Sequence, residues 1–261
     1  MNHLQVISDH LAPALLVVFR IGGLMVYGPV FGSSVVPARL KVFLAFILGL
    51  AVYPLLSRQY LGDQALALDL WSLGPLVATE LLVGMVVGFV ASLPMVAVQT
   101  GGLMMGQQMG LGFARFYNPA IDDQADIIGQ MLFFLALALF LSIGGHEAMV
   151  LAVLNSFQHI PLGHFAAEAD LVALLTGMLL AAFEIALRVA APLLALIFLE
   201  SLAMGFIAKT VPQLNILSLG FPLRIIAGFA LVSFGVVIIS EVMMEGIDQA
   251  LAALFAWVES H

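Results

Sequence analysis

Cysteine is absent from the chain and charged residues are scarce, and each shortage excludes a class of function. Without cysteine there can be no disulfide bond, thiolate metal site or cysteine nucleophile. Only 9% of the residues are charged, whereas a soluble domain carries about 25%. The 8 basic residues are outnumbered by 16 acidic ones, so nucleic acid is not expected as a partner.

Apolar residues predominate in the sequence. They make up 63% of the sequence, and the mean hydropathy is +1.15. A membrane-spanning helix takes about 20 apolar residues. The sequence therefore predicts an all-α, polytopic membrane protein of kinked helical hairpins. The candidate segments are residues 11–31, 42–56, 76–98, 127–143, 171–207 and 225–240.

Two of the predicted elements have special features. Segment 171–207 is too long for one simple crossing and has Pro192 in its middle. Because proline removes a helical hydrogen bond and clashes with the preceding turn, we expect a kink or a tight hairpin there. The tail, residues 241–260, is predicted to form an amphipathic helix.

Several charges interrupt the apolar segments, and each would cost about 2.5–3.5 kcal/mol at the centre of a lipid-facing helix. Glu184 and Arg188 are four residues apart in the favourable order. We predict that they form a buried charge pair that lowers the cost of insertion; a proton or ion relay is the alternative. The other charges of this kind are Arg20, Glu80, Glu200 and Lys209.

Patterns for catalysis or cofactor binding are missing from the sequence. His146-Glu147 begins like a zinc-protease HExxH helix, but position 150 is Val150 where the second histidine would stand. No glycine loop matches a nucleotide-binding pattern. We therefore expect no metal, no cofactor and no enzymatic activity.

Residues 99–119 differ from the rest of the chain. They contain three glutamines, five glycines and three methionines directly after an apolar segment. Glycines four apart let helix backbones approach closely. This spacing predicts close helix packing at Gly84, Gly88 and Gly102. Asn118-Pro119 is a helix-start signal that ends the stretch.

Three motifs carry a resemblance that covers nearly the whole chain. They are GQQMGLGFARFYNPA (106–120), VPQLNILSLGFPL (211–223) and the VP-x-R-x-K pattern of residues 36–41. Together they resemble the FliR family of bacterial flagellar type III export-gate proteins, to which a subunit of virulence injectisomes is related.

The resemblance implies a place in a helical export-gate assembly. The expected partners are FliP-type and FliQ-type subunits, an FlhB-type subunit, rod proteins and unfolded export substrates, at the inner membrane in the flagellar basal body. Residues 1–162 are then expected to be FliP-like and to include the plug-loop stretch 106–119. Residues 163–261 are expected to be FliQ-like helical hairpins ending in the amphipathic helix.

The resemblance also implies a channel plug. In the family a loop of this subunit reaches into the channel and helps to close it. Arg115 departs from the small or polar residue expected at that position. The implied plug residues are Gly106, Gln107, Gln108, Met109, Gly110, Phe113, Phe116 and Pro119.

A stand-alone secondary transporter or ion channel is the alternative function. It would need converging charges at the membrane midplane and an inverted repeat. Neither is visible in the sequence.

Overall fold

A computed structural model describes residues 3–33, 35–56, 70–111, 127–165, 169–211, 213 and 216–260. The regular elements of these residues are all helical, which confirms the predicted all-α class. The α-helices are α1 His3–Tyr27, α2 Ala38–Val52, α3 Leu70–Gln108, α4 Ile127–Ser142, α5 Gly145–His159, α6 Ala169–Thr210 and α7 Ile216–Glu259. A 3-10 turn, Tyr53–Leu55, follows α2.

Within the described ranges, five helices are long and apolar enough to cross a membrane. The number rises to six if α4 and α5, which meet at a bend of 65°, form one broken span. Gly144 lies at this bend with φ of +75°, a conformation that glycine adopts without the usual steric cost. The helices confirm the prediction of a polytopic membrane protein.

The three longest helices exceed a simple span. α3, α6 and α7 contain 39, 42 and 44 residues, which corresponds to roughly 58–66 Å at 1.5 Å per residue. The hydrocarbon core of a bilayer is only about 30 Å thick. These helices must therefore tilt strongly or extend beyond the hydrocarbon core.

The tight hairpin considered at Pro192 is wrong, because α6 continues through it without interruption. The adjoining residues, Ala190, Ala191 and Leu193, offer no glycine or polar side chain that would favour a turn. One missing hydrogen bond is then the smaller cost.

The tail is also not a separate helix. Residues 241–259 are the last turns of α7. Glu241 and Asp248 are exposed, whereas Leu254 and Val258 on the other face are buried. Leu254 and Val258 belong to the apolar core of the first unit. The tail is the continuation of α7 and not a helix of its own.

The described chain divides into two compact units. The first contains Met1–Leu93, Leu141–Met178 and Ile247–His261, and the second contains Pro94–Phe140 and Leu179–Gly246. Each unit is a set of segments that pack together in space. The predicted division into residues 1–162 and 163–261 concerns resemblance to FliP-type and FliQ-type subunits. It is a different kind of division and stays a prediction.

In the first unit, α1 and α3 approach until their backbones touch. A Cβ atom added to Gly84 would collide with the backbone carbonyl of Arg20. One added to Gly88 would lie 2.8 Å from the backbone nitrogen of Gly28. Glycine is therefore required at both positions of the α3 GxxxG pattern for this crossing. Around the crossing lies a core that includes Leu16 and Val87.

The second unit is built from the end of α3, most of α4, α6 from Leu179 to its end, and α7 from its start to Gly246. Its buried side chains include Met95, Met105, Leu132, Leu193 and Ile197. Methionine is flexible and fills irregular gaps between helices. The second unit thus has its own apolar core, in which methionines of α3 take a large part.

The Gly84 contact predicts a sharp difference between two glycines of the same helix. Gly84→Ala should lower the stability of the chain by about 1–3 kcal/mol, since the added methyl group has no room. Gly74→Ala is the matched control, because a Cβ atom there has nothing within 4 Å. Thermal unfolding of the purified chain in detergent measures both. Equal unfolding midpoints for the two variants would show that α1 and α3 do not cross at Gly84.

Candidate functional site: the glycine-rich end of α3 and the charged side chains

The glycine-rich stretch begins inside α3, which runs unbroken through Gln99 to Gln108. Gly102 faces α4: a Cβ atom added to it would lie 2.6 Å from Cα of Gly129. Gly101 faces α6, with the carbonyl oxygen of Ala186 at 2.8 Å from such a Cβ atom. Neighbouring glycines therefore let α3 make backbone contact with two other helices of the second unit.

The helix ends in a turn that is held by both backbone and side chain. Met109 and Gly110 donate their amide hydrogens to the carbonyl groups of Met105 and Gln107, each over 3.0 Å. Gly110 has φ of +81°, which favours glycine after a helix end. The Met109 side chain is fully buried, with its sulfur 2.5 Å from where a Cβ atom of Gly228 would stand. Gly228 of α7 thus makes room for Met109.

These positions locate the described part of the predicted plug. Gly106, Gln107 and Gln108 form the last turn of α3, and Met109 and Gly110 form the turn that follows. Gln107 and Gln108 are exposed. Met109, expected among the plugging side chains, is instead enclosed within this chain.

The remaining plug residues, Phe113, Phe116 and Pro119, lie outside the described residues. The same is true of Arg115 and of the helix-start signal at Asn118. Only the base of the predicted loop is therefore seen, as a fixed helix end in the second unit.

In the first unit the structure brings together two charges that the sequence shows only as isolated ones. Arg20 of α1 donates from Nε to Oε2 of Glu80 of α3 over 2.5 Å, and both side chains are fully buried. The guanidinium also donates to the carbonyl oxygens of Ser156 and Ile160, each over 3.0 Å, and to Oγ of Ser156 over 3.1 Å. It lies 4.4 Å from the ring centre of Phe157.

The second carboxylate oxygen of Glu80 is also hydrogen-bonded. Oε1 accepts a hydrogen bond from the amide of Gly163 over 2.8 Å, in the turn that follows α5. Ser156 lies in the last turn of α5 and Ile160 directly follows the helix, where the helix dipole is negative. The Ser156 carbonyl also accepts the amide hydrogen of Ile160 over 2.8 Å, so Arg20 is its second donor. Arg20 therefore caps α5 while Glu80 holds the turn after it.

Sequence reasoning missed this pairing because the two residues are 60 positions apart. The sequence identifies both only as costly charges in apolar segments. The sequence offers one signal for the pairing: Arg20 and Glu80 are isolated charges of opposite sign in two apolar segments.

The predicted pair of Glu184 and Arg188 forms, but it is not buried. Arg188 Nη2 lies 2.7 Å from Oε1 of Glu184, and about half of each side chain or more is exposed, 51% and 61% respectively. Arg188 also contacts Glu245 of α7 over 3.4 Å. The pair lies on an outward face of α6, which hydrophobic patterning alone does not distinguish from an inward one.

A second ion pair ties α6 to α7. Arg224 Nε lies 2.7 Å from Oε2 of Glu200, and its Nη2 donates to Oγ of Ser201 over 2.9 Å. Residues near the end of α6 thus meet the start of α7, while Arg188 and Glu245 meet further along. The two helices form an antiparallel hairpin in the second unit.

The His146-Glu147 dipeptide shows no metal-binding geometry. The two side chains lie 3.9 Å apart at the start of α5. Within the described residues, no group of three or more His, Asp or Glu side chains is placed to hold a metal ion.

Comparison with known proteins shows which proteins the chain is similar to. The model of the bacterial export proteins, family 1, matches residues 11–250. The chain is 34% identical to the flagellar biosynthetic protein FliR of Bacillus subtilis over 225 residues, which are 84% of each chain. It is 30% identical to the protein of that name in Escherichia coli, over 82% of this chain and 80% of the relative. It is 28% identical to the Yop proteins translocation protein T of Yersinia pestis, over 68% and 67%.

Removing Arg20 should damage the chain far more than removing Arg188. Arg20→Ala leaves Glu80 buried without its cation, a change that typically costs about 3–5 kcal/mol. Arg188→Ala removes a half-exposed pair, and such pairs contribute about 0–1 kcal/mol. The unfolding midpoint of each purified variant measures the contrast. Similar losses for both variants would contradict the buried network.

A double variant separates the ion pair from the cap. Arg20→Met with Glu80→Leu removes both charges, and a buried pair replaced in this way often loses little stability. Here the carbonyl of Ile160 and the amide of Gly163 also lose their partners. The double variant should therefore recover only part of the stability lost by Arg20→Ala, and full recovery would show that the cap contributes nothing.

Proposed function

The chain belongs to the bacterial export proteins, family 1, and is a subunit of the flagellar type III export apparatus; we propose that it helps to form and close the channel of the export gate. Unfolded flagellar substrates cross the inner membrane through this channel. The protein acts by forming a passage and a seal, without catalysis. Its place is in the inner membrane at the flagellar basal body.

The observation that carries the closing role is the anchored end of α3. Gly101 and Gly102 fix this end by backbone contact, and the buried Met109 holds the turn after it. A loop that closes a channel must start from a rigid base, since a mobile base would let the seal shift. The plug then consists of Gln107, Gln108 and the residues up to Pro119, with Met109 as anchor.

Exposed charge supports an assembly with other subunits. Glu184, Arg188 and Glu245 lie half-exposed in the middle of long apolar helices. Such groups are costly toward lipid and usually face protein or a water-filled cavity. Large apolar side chains such as Phe234 are also exposed on α7. We propose that these faces meet FliP-type and FliQ-type subunits, with an FlhB-type subunit and rod proteins as further partners.

The α6–α7 hairpin supports the proposed FliQ-like character of residues 163–261. Two long helices joined by a short connection, and tied by Glu200–Arg224 at that end, form a unit that can repeat beside similar hairpins in a helical assembly. Residues 1–162 would correspond to the FliP-like part.

Replacing the plug should open the assembled gate to small solutes. A flexible linker in place of residues 106–116 removes the seal. A shorter replacement that starts at Leu111 keeps the Met109 anchor and should leak without loss of assembly. The matched control places the same linker in the α6–α7 connection, residues 211–215. Uptake of a small solute by cells that contain the assembled complex measures leakage.

If an assembled complex with the shorter replacement stays impermeable, the plug assignment is wrong. Purification of the unaltered protein in mild detergent tests the subunit role independently. Two small helical partners should purify with it. A monomer that transports a solute by itself would favour the stand-alone transporter.

A further inference from the structure

A groove of about 450 Å³ lies between α1 and α2 in the first unit. Its volume falls in the range of roughly 300–1,000 Å³ that is usual for small-ligand sites. Apart from one lysine, the groove-lining residues used below are apolar. They are Val18, Gly22, Ala38, Lys41, Val42 and Ala45.

The two helices close the groove at one end. A Cβ atom added to Gly49 of α2 would lie 2.9 Å from Cα of Val18, so the helices touch there. Toward the start of α2 the walls become exposed: Ala45 is buried, whereas Val42 is 70% exposed. The groove is therefore open beside Lys41 and narrow toward Gly49.

The lysine at the open end of the groove is not neutralised by any residue that the structure describes. Three arginines, Arg20, Arg188 and Arg224, are paired with carboxylates. Neither Arg39 nor Lys41 has an ion-pair partner among the described residues. In a chain with a net charge of −8, Lys41, the cation that lines the groove, is therefore able to attract an anion from outside.

The groove starts where a membrane surface would lie. Lys41 is in the first turn of α2, at the beginning of the candidate span Ala38–Leu55. Lysines near the ends of such helices place their ammonium groups at the level of the lipid headgroups. From Ala38 to Ala45 the helix advances by about 10 Å, so the groove runs from headgroup level into the hydrocarbon.

We propose that this groove binds one acyl chain of an anionic phospholipid, whose phosphate contacts Lys41. Because the helices touch at Gly49 and Val18, the groove is narrow, and its walls are mostly apolar. A single acyl chain fits such a space, and basic side chains at the membrane surface favour anionic headgroups. The site does not depend on the export-gate role.

The test uses the full-length chain in an uncharged detergent, stripped of lipid. Phosphatidylglycerol should raise the thermal unfolding midpoint at lower concentration than phosphatidylcholine does. Lys41→Gln should weaken the apparent affinity for phosphatidylglycerol about fivefold, the effect expected of one basic residue at a membrane surface. Lys209→Gln is the matched control, because Lys209 likewise has no ion-pair partner among the described residues and is far from this groove in sequence.

A second variant tests the acyl-chain part. Gly22→Leu fills the groove from α1, where the Cβ atom of Ala45 is the one neighbour within 4 Å, at 3.9 Å. This variant should fold normally without lipid and lose most of the protection by phosphatidylglycerol. Unchanged protection in Gly22→Leu would overturn the proposal.

Two further outcomes would also overturn it. Equal protection by inorganic phosphate would show a site for free phosphate and not for a lipid. If Lys41→Gln instead weakens co-purification with partner subunits and leaves lipid protection unchanged, the cations face an acidic group of a partner protein.

Discussion

Arg20 and Glu80 are fully buried. Two buried ionised groups are stable only if they pair with each other and their remaining polar atoms form hydrogen bonds. Arg20 reaches Glu80, Ser156 and Ile160, and the second carboxylate oxygen reaches the amide of Gly163. One pair of side chains therefore fixes the distance between α1 and α3, ends α5 and sets the turn after it. The glycine crossing at Gly84 belongs to the same constraint, because it brings the two helices close enough for the charges to meet.

The second unit is held by different means. Its helices approach through glycine, as at Gly102 and Gly228, and its methionines fill the space that remains. Its ion pairs are more exposed than the Arg20–Glu80 pair, with Glu184–Arg188 the clearest case. A buried network specifies one arrangement of helices, whereas exposed charges remain available to partners. The first unit thus contains a buried polar network, whereas the ion pairs of the second unit are more exposed.

Local patterns in the sequence were enough for the fold class, the apolar segments and the Glu184–Arg188 pair, since four residues along a helix fix a contact in advance. Other features depend on tertiary packing. Arg20 and Glu80 meet only because α1 and α3 cross, and the exposure of Arg188 depends on which side of α6 is covered. The local cost of Pro192 predicts a kink or a tight hairpin, and the hairpin is wrong because α6 continues through this residue. The position of Met109 depends on Gly228, more than a hundred residues later in the chain, which no local pattern could show.

The fit of Met109 against Gly228 has a chemical consequence. Oxidation of a methionine adds an oxygen atom to its sulfur and turns an apolar side chain into a polar one. The Met109 sulfur is enclosed and has no room for that atom beside α7. The thioether is therefore shielded from oxidants for as long as the end of α3 stays docked, and a sulfoxide at this position would be a lasting chemical mark that the end of α3 had separated from α7.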